Sequence, residues 1–434
     1  MHNVHTRNTV RYYILIVAVL AFLFFSNDFG LTDVQKTAIV MAVGVDREED
    51  EFILTSQIAL PQSSKQGNAS QAVQLVSRGK TVAEAFEQIN AKTGWYPKLV
   101  FCKLIILGDK TAQQNVFDAL DYFLLDEYLT DGCLVATCDG LAKDLLNTTA
   151  LVDPSSSLAM TKVLSSHAQR VGTVLPTTLR EFSADYFSDS KSGYLPILKT
   201  EPQQEKIGKS GGTGDKNAQN ASQDSQSEQS DSSSEDSAQE SSGGGADSSS
   251  SNSSQEGAKS GQNTDKPVFS AQETALFVAG KRVGTLTAEE TFAFNAVKNE
   301  LRLASYSVEE KNGYCTLSVK KNSPKRKLTV GKDGSANFKI ELTMTAGLLD
   351  NSSALPLEEL SDFGDVPGGV FAAAEKKLSG EIKTLFEKTK ALGCDIFGVQ
   401  ELLVKYEKRA LHRFKDKLLS STTLTVDVSF QNIR

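Results

Sequence analysis

The sequence predicts an α+β protein: three small mixed domains with antiparallel or mixed sheets flanked by helices, a long disordered insertion and a membrane anchor. Three observations predict it. Strand-like runs interleave with helical stripes over the first 200 residues, and 60 residues (208–267) then pass without a single Val, Ile, Leu, Met, Phe, Trp, Tyr or Cys. Strict period-two alternation returns beyond residue 313. At 434 residues the chain exceeds one ordinary core, and its 39% hydrophobic share is low for a chain folded throughout. The expected units are 1–29 (a cytoplasmic tip and signal anchor), 30–148, 149–290 with an insertion at 203–267, and 291–434.

The formal net charge is −8, but Glu201–Lys266 alone holds 12 acidic and 5 basic residues. The remainder is near neutral, so no basic face suggests a nucleic-acid partner. There are four His, two of them His2 and His5, which argues against a zinc hydrolase and leaves His167 and His412 for histidine chemistry.

Arg7 and Arg11 precede the apolar run Tyr12–Phe25, YYILIVAVLAFLFF. A positive flank before an apolar core orients a signal sequence with its start in the cytoplasm. The run is short against the roughly 20 residues of a membrane span, which alone would favour a cleaved signal. Phe24-Phe25-Ser26, however, puts bulky rings where a signal peptidase needs small residues. The reading is an uncleaved anchor carried by Tyr12, Ile14, Leu15, Val17, Leu20, Phe22 and Phe25, with the rest of the chain extracytoplasmic.

Ala38–Asp46 and Glu51–Leu60 read as a hairpin around a charged turn. A helix follows with Thr81 and Glu84 as capping box, Val82, Phe86 and Ile89 on its buried face and Gly94 as its stop. Lys98–Gly108 is apolar enough for an interior strand. Gln113–Asp126 reads as a helix with Val116, Leu120, Phe123 and Leu124 on one face. A strand at Asp131–Cys138 and a short helix from Leu141 close the first unit. Less regular sequence follows, with a helix over Ser155–Ala168 and a strand at Tyr194–Thr200. The tract 208–267 cannot bury enough apolar area to offset its ordering entropy and should be disordered. Its flanks favour a loop over a tether, because Val268–Gly280 resumes at once as a strand and Lys281–Thr287 pairs back on it. Tyr314–Val319, Phe338–Met344 and Leu424–Phe430 alternate strictly, with turns at Asn312-Gly313 and Lys332-Asp333-Gly334, so this last sheet is expected to be antiparallel. A long helix after Pro367-Gly368-Gly369 ends at Gly393 and buries Ala374, Leu378, Ile382, Leu385 and Phe386; a second helical stretch covers Val399–Leu419.

No motif nominates a catalytic, cofactor or metal residue. Gly208-Lys209-Ser210 lacks the earlier glycine and the leading strand of a phosphate loop. Glu48–Glu51 lacks the spacing of a calcium loop and reads as a solvated tip. His167 sits in no triad setting and reads as a surface residue, and the same holds for the triad potential of His412. Lys320-Lys321 and Lys325-Arg326-Lys327 fit either lipid headgroups or a charged strand edge that blocks aggregation. Five cysteines are too few for a disulfide scaffold; they read as buried small hydrophobes, with one disulfide left open as an alternative.

Taken in order, the segments AIVMAVGVD, LVFCKLIILGDK with FDALDYFLLDE, ALFVAGKRVGTLTAEET and CDIFGVQELLVKY resemble the C subunit of spore nutrient-germinant receptors, the Ger(x)C family. The resemblance covers nearly all of the chain after the anchor. It implies a non-catalytic extracytoplasmic subunit, at the spore inner membrane, of a complex with polytopic transporter-like A- and B-type subunits. It also implies that Asp395, Ile396, Phe397 and Gly398 form a family signature and a candidate partner contact. Whether this subunit touches the nutrient stays open. Asp28 stands near where the family carries its lipidated cysteine, and no cysteine precedes Cys102, which agrees with an uncleaved anchor. Glu407–His412 lacks the family's usual Pro and Trp. The alternative reading is a generic membrane-anchored solute-binding or cell-envelope scaffold protein.

Overall fold

Apolar and β-branched runs on either side of a charged tip fold the first two strands, β1 (Thr37–Glu48) and β2 (Glu51–Ala59), into a hairpin whose ends meet at Glu48 opposite Glu51. The computed structural model describes residues 12–22, 37–59, 72–148, 153, 155–165, 168–202, 267–310, 313–331, 335–352, 365–414 and 417–433. The expected insertion at 203–267 lies outside them but for Pro267, as do Phe25, Asp28, His167, Asn312 and the turn 332–334.

The hairpin seeds a nine-stranded sheet. Its further strands are β3 (Ala72–Gly79), β4 (Tyr96–Lys98), β5 (Leu104–Leu107), β6 (Leu134–Cys138), β7 (Ser192–Glu201), β8 (Val268–Val278) and β9 (Lys281–Leu286). The order is β3-β2-β1-β5-β6-β7-β8-β9, with β4 also on β1. β1, β5, β6 and β7 run parallel, and the margins are antiparallel.

Helices cover both faces of the parallel centre, as the unbroken apolar run LIIL requires. Val43, Val45, Ile105 and Leu107 pack under the helices Val82–Thr93, Phe117–Leu125 and Leu179–Phe187, while Ala42, Leu104 and Ile106 meet Ala142–Leu146 and Ser156–Val163. Each such Leu or Ile contributes about 1.5–3 kcal/mol by leaving water. Thr81 caps the first of these helices by accepting from the Glu84 N–H, and Gly94 ends it at φ 71°. Glu84 turns back one residue further than a capping box would, to the Lys80 N–H.

The second sheet has order β10 (Ala304–Glu310), β11 (Gly313–Val330), β12 (Ala336–Ser352), β13 (Thr422–Asn432). It corrects the antiparallel expectation: β12 and β13 pair in parallel from Ala336 opposite Thr422 to Ala346 opposite Asn432. The helix Gly368–Ala391 lies between them in the chain and acts as a crossover, which parallel neighbours need. Its buried residues Val370, Ala374, Leu378, Ile382, Leu385 and Phe386 recur at helical spacing over the inward row Phe338, Ile340, Leu342 and Met344. The helical stretch expected over Val399–Leu419 is broken into Val399–Tyr406, a 3₁₀ turn at Lys408–Ala410, Leu411–Phe414 and Leu418–Ser421.

The boundary expected at 148 falls between β6 and β7, which pair in one sheet, and that at 290 falls inside the helix Ala288–Lys298. From Thr291 to Val297 every residue of that helix is buried, and it joins the core that links β8 and β9 to the second sheet. The flanks of the insertion are paired strands, Glu201 opposite Val268.

Candidate functional site

Five elements converge on one cleft of about 710 Å³. The helix Leu179–Phe187 starts from a complete capping box: Thr178 Oγ1 accepts from the Glu181 N–H at 3.2 Å, and the Glu181 carboxylate accepts from the Thr178 N–H at 3.0 Å. Leu179 and Phe182 face inward, which leaves Asp185 and Phe187 on the cleft. β7 supplies Ser192 and Tyr194, the last turn of Ala288–Lys298 supplies Lys298, and β11 supplies Arg326. The remaining wall is the segment from Asp395 through the helix Val399–Tyr406, including Ile396, Gly398, Glu401 and Lys405.

The segment Asp395–Gly398, singled out from the sequence, is the clamp of this arrangement. Asp395 is 7% exposed, and its carboxylate accepts from the N–H of Val399 at 2.9 Å and of Gln400 at 2.7 Å. It thereby caps the first turn of its own helix, where an anion also meets the helix dipole. Its own N–H donates to Ser192 Oγ at 2.9 Å, and the preceding Cys394 donates from Sγ to the Phe277 carbonyl at 3.5 Å. Both bonds run to the first sheet. Phe397 goes the other way: 1% exposed, it packs edge-on against Phe294 and Phe386 with centroids 5.6 and 5.4 Å apart, in the core of the second sheet. Gly398 takes φ 71°, a left-handed turn that suits glycine. Ile396, half-buried, lines the cleft.

The cleft holds charge of both signs in poorly hydrated positions. Burial pushes the Asp185 carboxyl up to about 6, against the pull of Lys298 and with Glu181 and Glu401 adding to the rise. Burial lowers the Lys298 pKa, while Asp185, Glu300 and Glu181 oppose the fall. The Lys298 ammonium donates to the Tyr194 hydroxyl and lies over that ring, and Arg326 Nη1 donates to the Phe397 carbonyl at 3.2 Å. Burial also raises Asp395, with the N–H groups of Gln400, Val399 and Gly398 working to lower it. Such a lining can hold a small polar solute or a polar side chain of a partner.

Sequence reasoning missed Asp185, Lys298 and the helix Leu179–Phe187. The signal for the first was Thr178-Leu-Arg-Glu181, a capping box in plain view. A second buried carboxylate, Asp46, caps at long range: it accepts from Ala142 N–H at 2.7 Å and Lys143 N–H at 3.0 Å, 96 and 97 residues away. Gly108 makes room for it, since a Cβ there would stand 2.1 Å from Asp46 Oδ1.

Of the expected anchor, Tyr12, Ile14, Leu15, Val17, Leu20 and Phe22 lie on a helix over residues 12–22 and are exposed. Among the described residues no helix is long and apolar enough to cross a membrane. Nor do any three His, Cys, Asp or Glu residues gather there in a metal-binding group. His412 is exposed, and all five cysteines are buried and free. Lys320 and Lys321 lie with Arg302 beside a shallow recess on β11, and Glu48 at the hairpin tip pairs with Arg78 at 2.9 Å.

Fold and cleft together define a mixed α+β protein in which one short segment locks two sheets around a polar junction. The chain belongs to the GerAC-like family of spore germination proteins. Residues 31–200 match the family model of the spore germination protein N-terminal domain, and residues 272–434 match that of the spore germination B3/GerAC-like C-terminal domain. Spore germination protein B3 of Bacillus subtilis (strain 168) is 29% identical over 119 residues, which cover 26% of this chain and 31% of that relative. The crystal structure of the GerBC protein aligns with 90% of this chain and 97% of its own at 18% identity and a TM-score of 0.49.

Proposed function

We propose that this chain is the non-catalytic, extracytoplasmic subunit of a nutrient-germinant receptor, held at the spore inner membrane beside polytopic A- and B-type subunits. The observation that carries the reading is the pair of family matches, one on each side of the insertion, which together take in both sheets and the Asp395–Gly398 clamp. The anchor is the apolar helix 12–22, whose exposed Ile, Leu, Val and Phe side chains suit a lipid environment better than water. A clamp joining two sheets is a device for transmitting position, because a partner that pulls on one sheet shifts the other through Asp395 and Phe397.

The test is purification from spore membranes with a tag on this chain. A multi-helix subunit should copurify, and spores lacking the chain should lose their response to nutrients. Normal nutrient germination without the chain would overturn the proposal. The junction cleft favours a second reading, solute binding by this chain itself, and direct calorimetry with the germinating nutrient distinguishes it.

A further inference from the structure

β1, β4, β5 and β6 are parallel, so their starting ends and the loops that lead into them gather along one edge of the first sheet. Large apolar side chains crowd that edge. Ile39, Tyr96, Val100, Phe101, Leu125 and Tyr128 are exposed, Phe101 at 55% and Leu125 at 85%. They come from three separate stretches, tied together where Lys98 pairs with Ile39 and sets its ammonium 4.3 Å from the Tyr128 ring centroid. Single exposed apolar residues are ordinary, whereas a cluster of this kind marks an interaction face.

We infer that this edge rests on the headgroup layer of a lipid bilayer, the same bilayer that takes up the helix 12–22. The inference rests on the membrane-held reading above. Its occupant follows from where the chain is tied: β1 begins at Thr37, opposite Tyr96, and residues 23–36 can reach at most about 50 Å back to the apolar helix. The tether thus leaves from this edge, and this end of β1 is the one presented first to the membrane that holds the helix. The residue types suit an interface, since Tyr and Phe rings seat at headgroup depth and a lysine reaches outward. No single sign of charge drives the contact, because the stretches that form this edge carry Lys98 and Lys103 together with Asp126, Glu127 and Asp131, the last paired with Arg180 at 2.9 Å. Binding should therefore change little with salt.

The test places an environment-sensitive nitrobenzoxadiazole dye at either end of β1 in the full chain. The native cysteines are all buried, so Phe101→Cys and Asp50→Cys each offer one accessible thiol. On phosphatidylcholine–phosphatidylglycerol vesicles both labelled chains should float. The dye at 101 should brighten about threefold, at low and high salt alike, while the dye at 50 stays unchanged. Adding Leu125→Glu should weaken the response at 101. Flotation with no difference between the two dyes would overturn the docking face and leave the anchor standing. Failure to float would overturn both. A response at 101 only in membranes that carry a polytopic subunit would assign the face to a protein and overturn the lipid contact.

Discussion

Replacing Asp395 by Ala would strip two N–H groups of their acceptor at the start of Val399–Tyr406 and loosen the segment that bonds to Ser192. The expected cost is about 1–2 kcal/mol, seen as a lowered midpoint in urea, and Asp395→Asn should recover part of it. Asp185 calls for the opposite experiment. Its folded pKa of about 6 lies above the ordinary 3.8, so the unfolded chain releases this proton first as pH rises. The folded state is thus disfavoured by this group above pH 6 and not below about pH 4. Asp185→Asn should gain on the wild type between those limits, by about 1–2 kcal/mol at neutral pH after allowance for solvent screening and the lost pull on Lys298. A variant whose advantage fell as pH rose would contradict the assignment. At this scale the sequence was half legible. Asp395–Gly398 stood out as a signature, but its division of labour did not, because Ser192 and Phe294 lie some 200 and 100 residues away. Asp46 was opaque for the same reason: a cap that reaches 96 residues along the chain leaves no local pattern.

Whole elements were legible where one face met water. The stripe over Gly368–Ala391, the hairpin β1–β2 and the alternation in β12 and β13 each carry their own period. The helix Ala288–Lys298 has no stripe to read, since seven consecutive residues are buried, and its start shows only in the capping pair Thr287 and Glu290. Strand direction was illegible too: alternation reports a half-buried face, and the parallel pairing of β13 follows from the crossover helix instead. The buried helix makes a sharp prediction. Phe294, 1% exposed and edge-on to both Tyr194 and Phe397, should cost about 3–5 kcal/mol on truncation to Ala. Denaturant unfolding would measure it, and a cost under 1 kcal/mol would mean that the helix is not the joint between the sheets.

At the scale of the molecule, the insertion joins two strands that are already paired. Limited proteolysis within 208–267 should therefore leave two fragments that elute together on native chromatography, and replacing that tract by a short turn should leave the melting temperature unchanged. Fragments that separate would make the tract a tether between independent domains. Across the expected boundaries at 148 and 290, β6–β7 pairing and the buried helix Ala288–Lys298 tie neighbouring units into shared cores.

In the proposed function, residues 12–22 hold a receptor subunit to its membrane. Leu20→Asp with Phe22→Asp, made in a spore former, tests that most directly, since both side chains are exposed on the helix and neither supports the folded sheets. Placing two carboxylates in the apolar run should cost it several kcal/mol of membrane affinity. The chain should move to the soluble fraction with its fold intact, and the spores should stop answering nutrients. Spores that germinate normally on nutrients while the altered chain is found soluble would contradict the account.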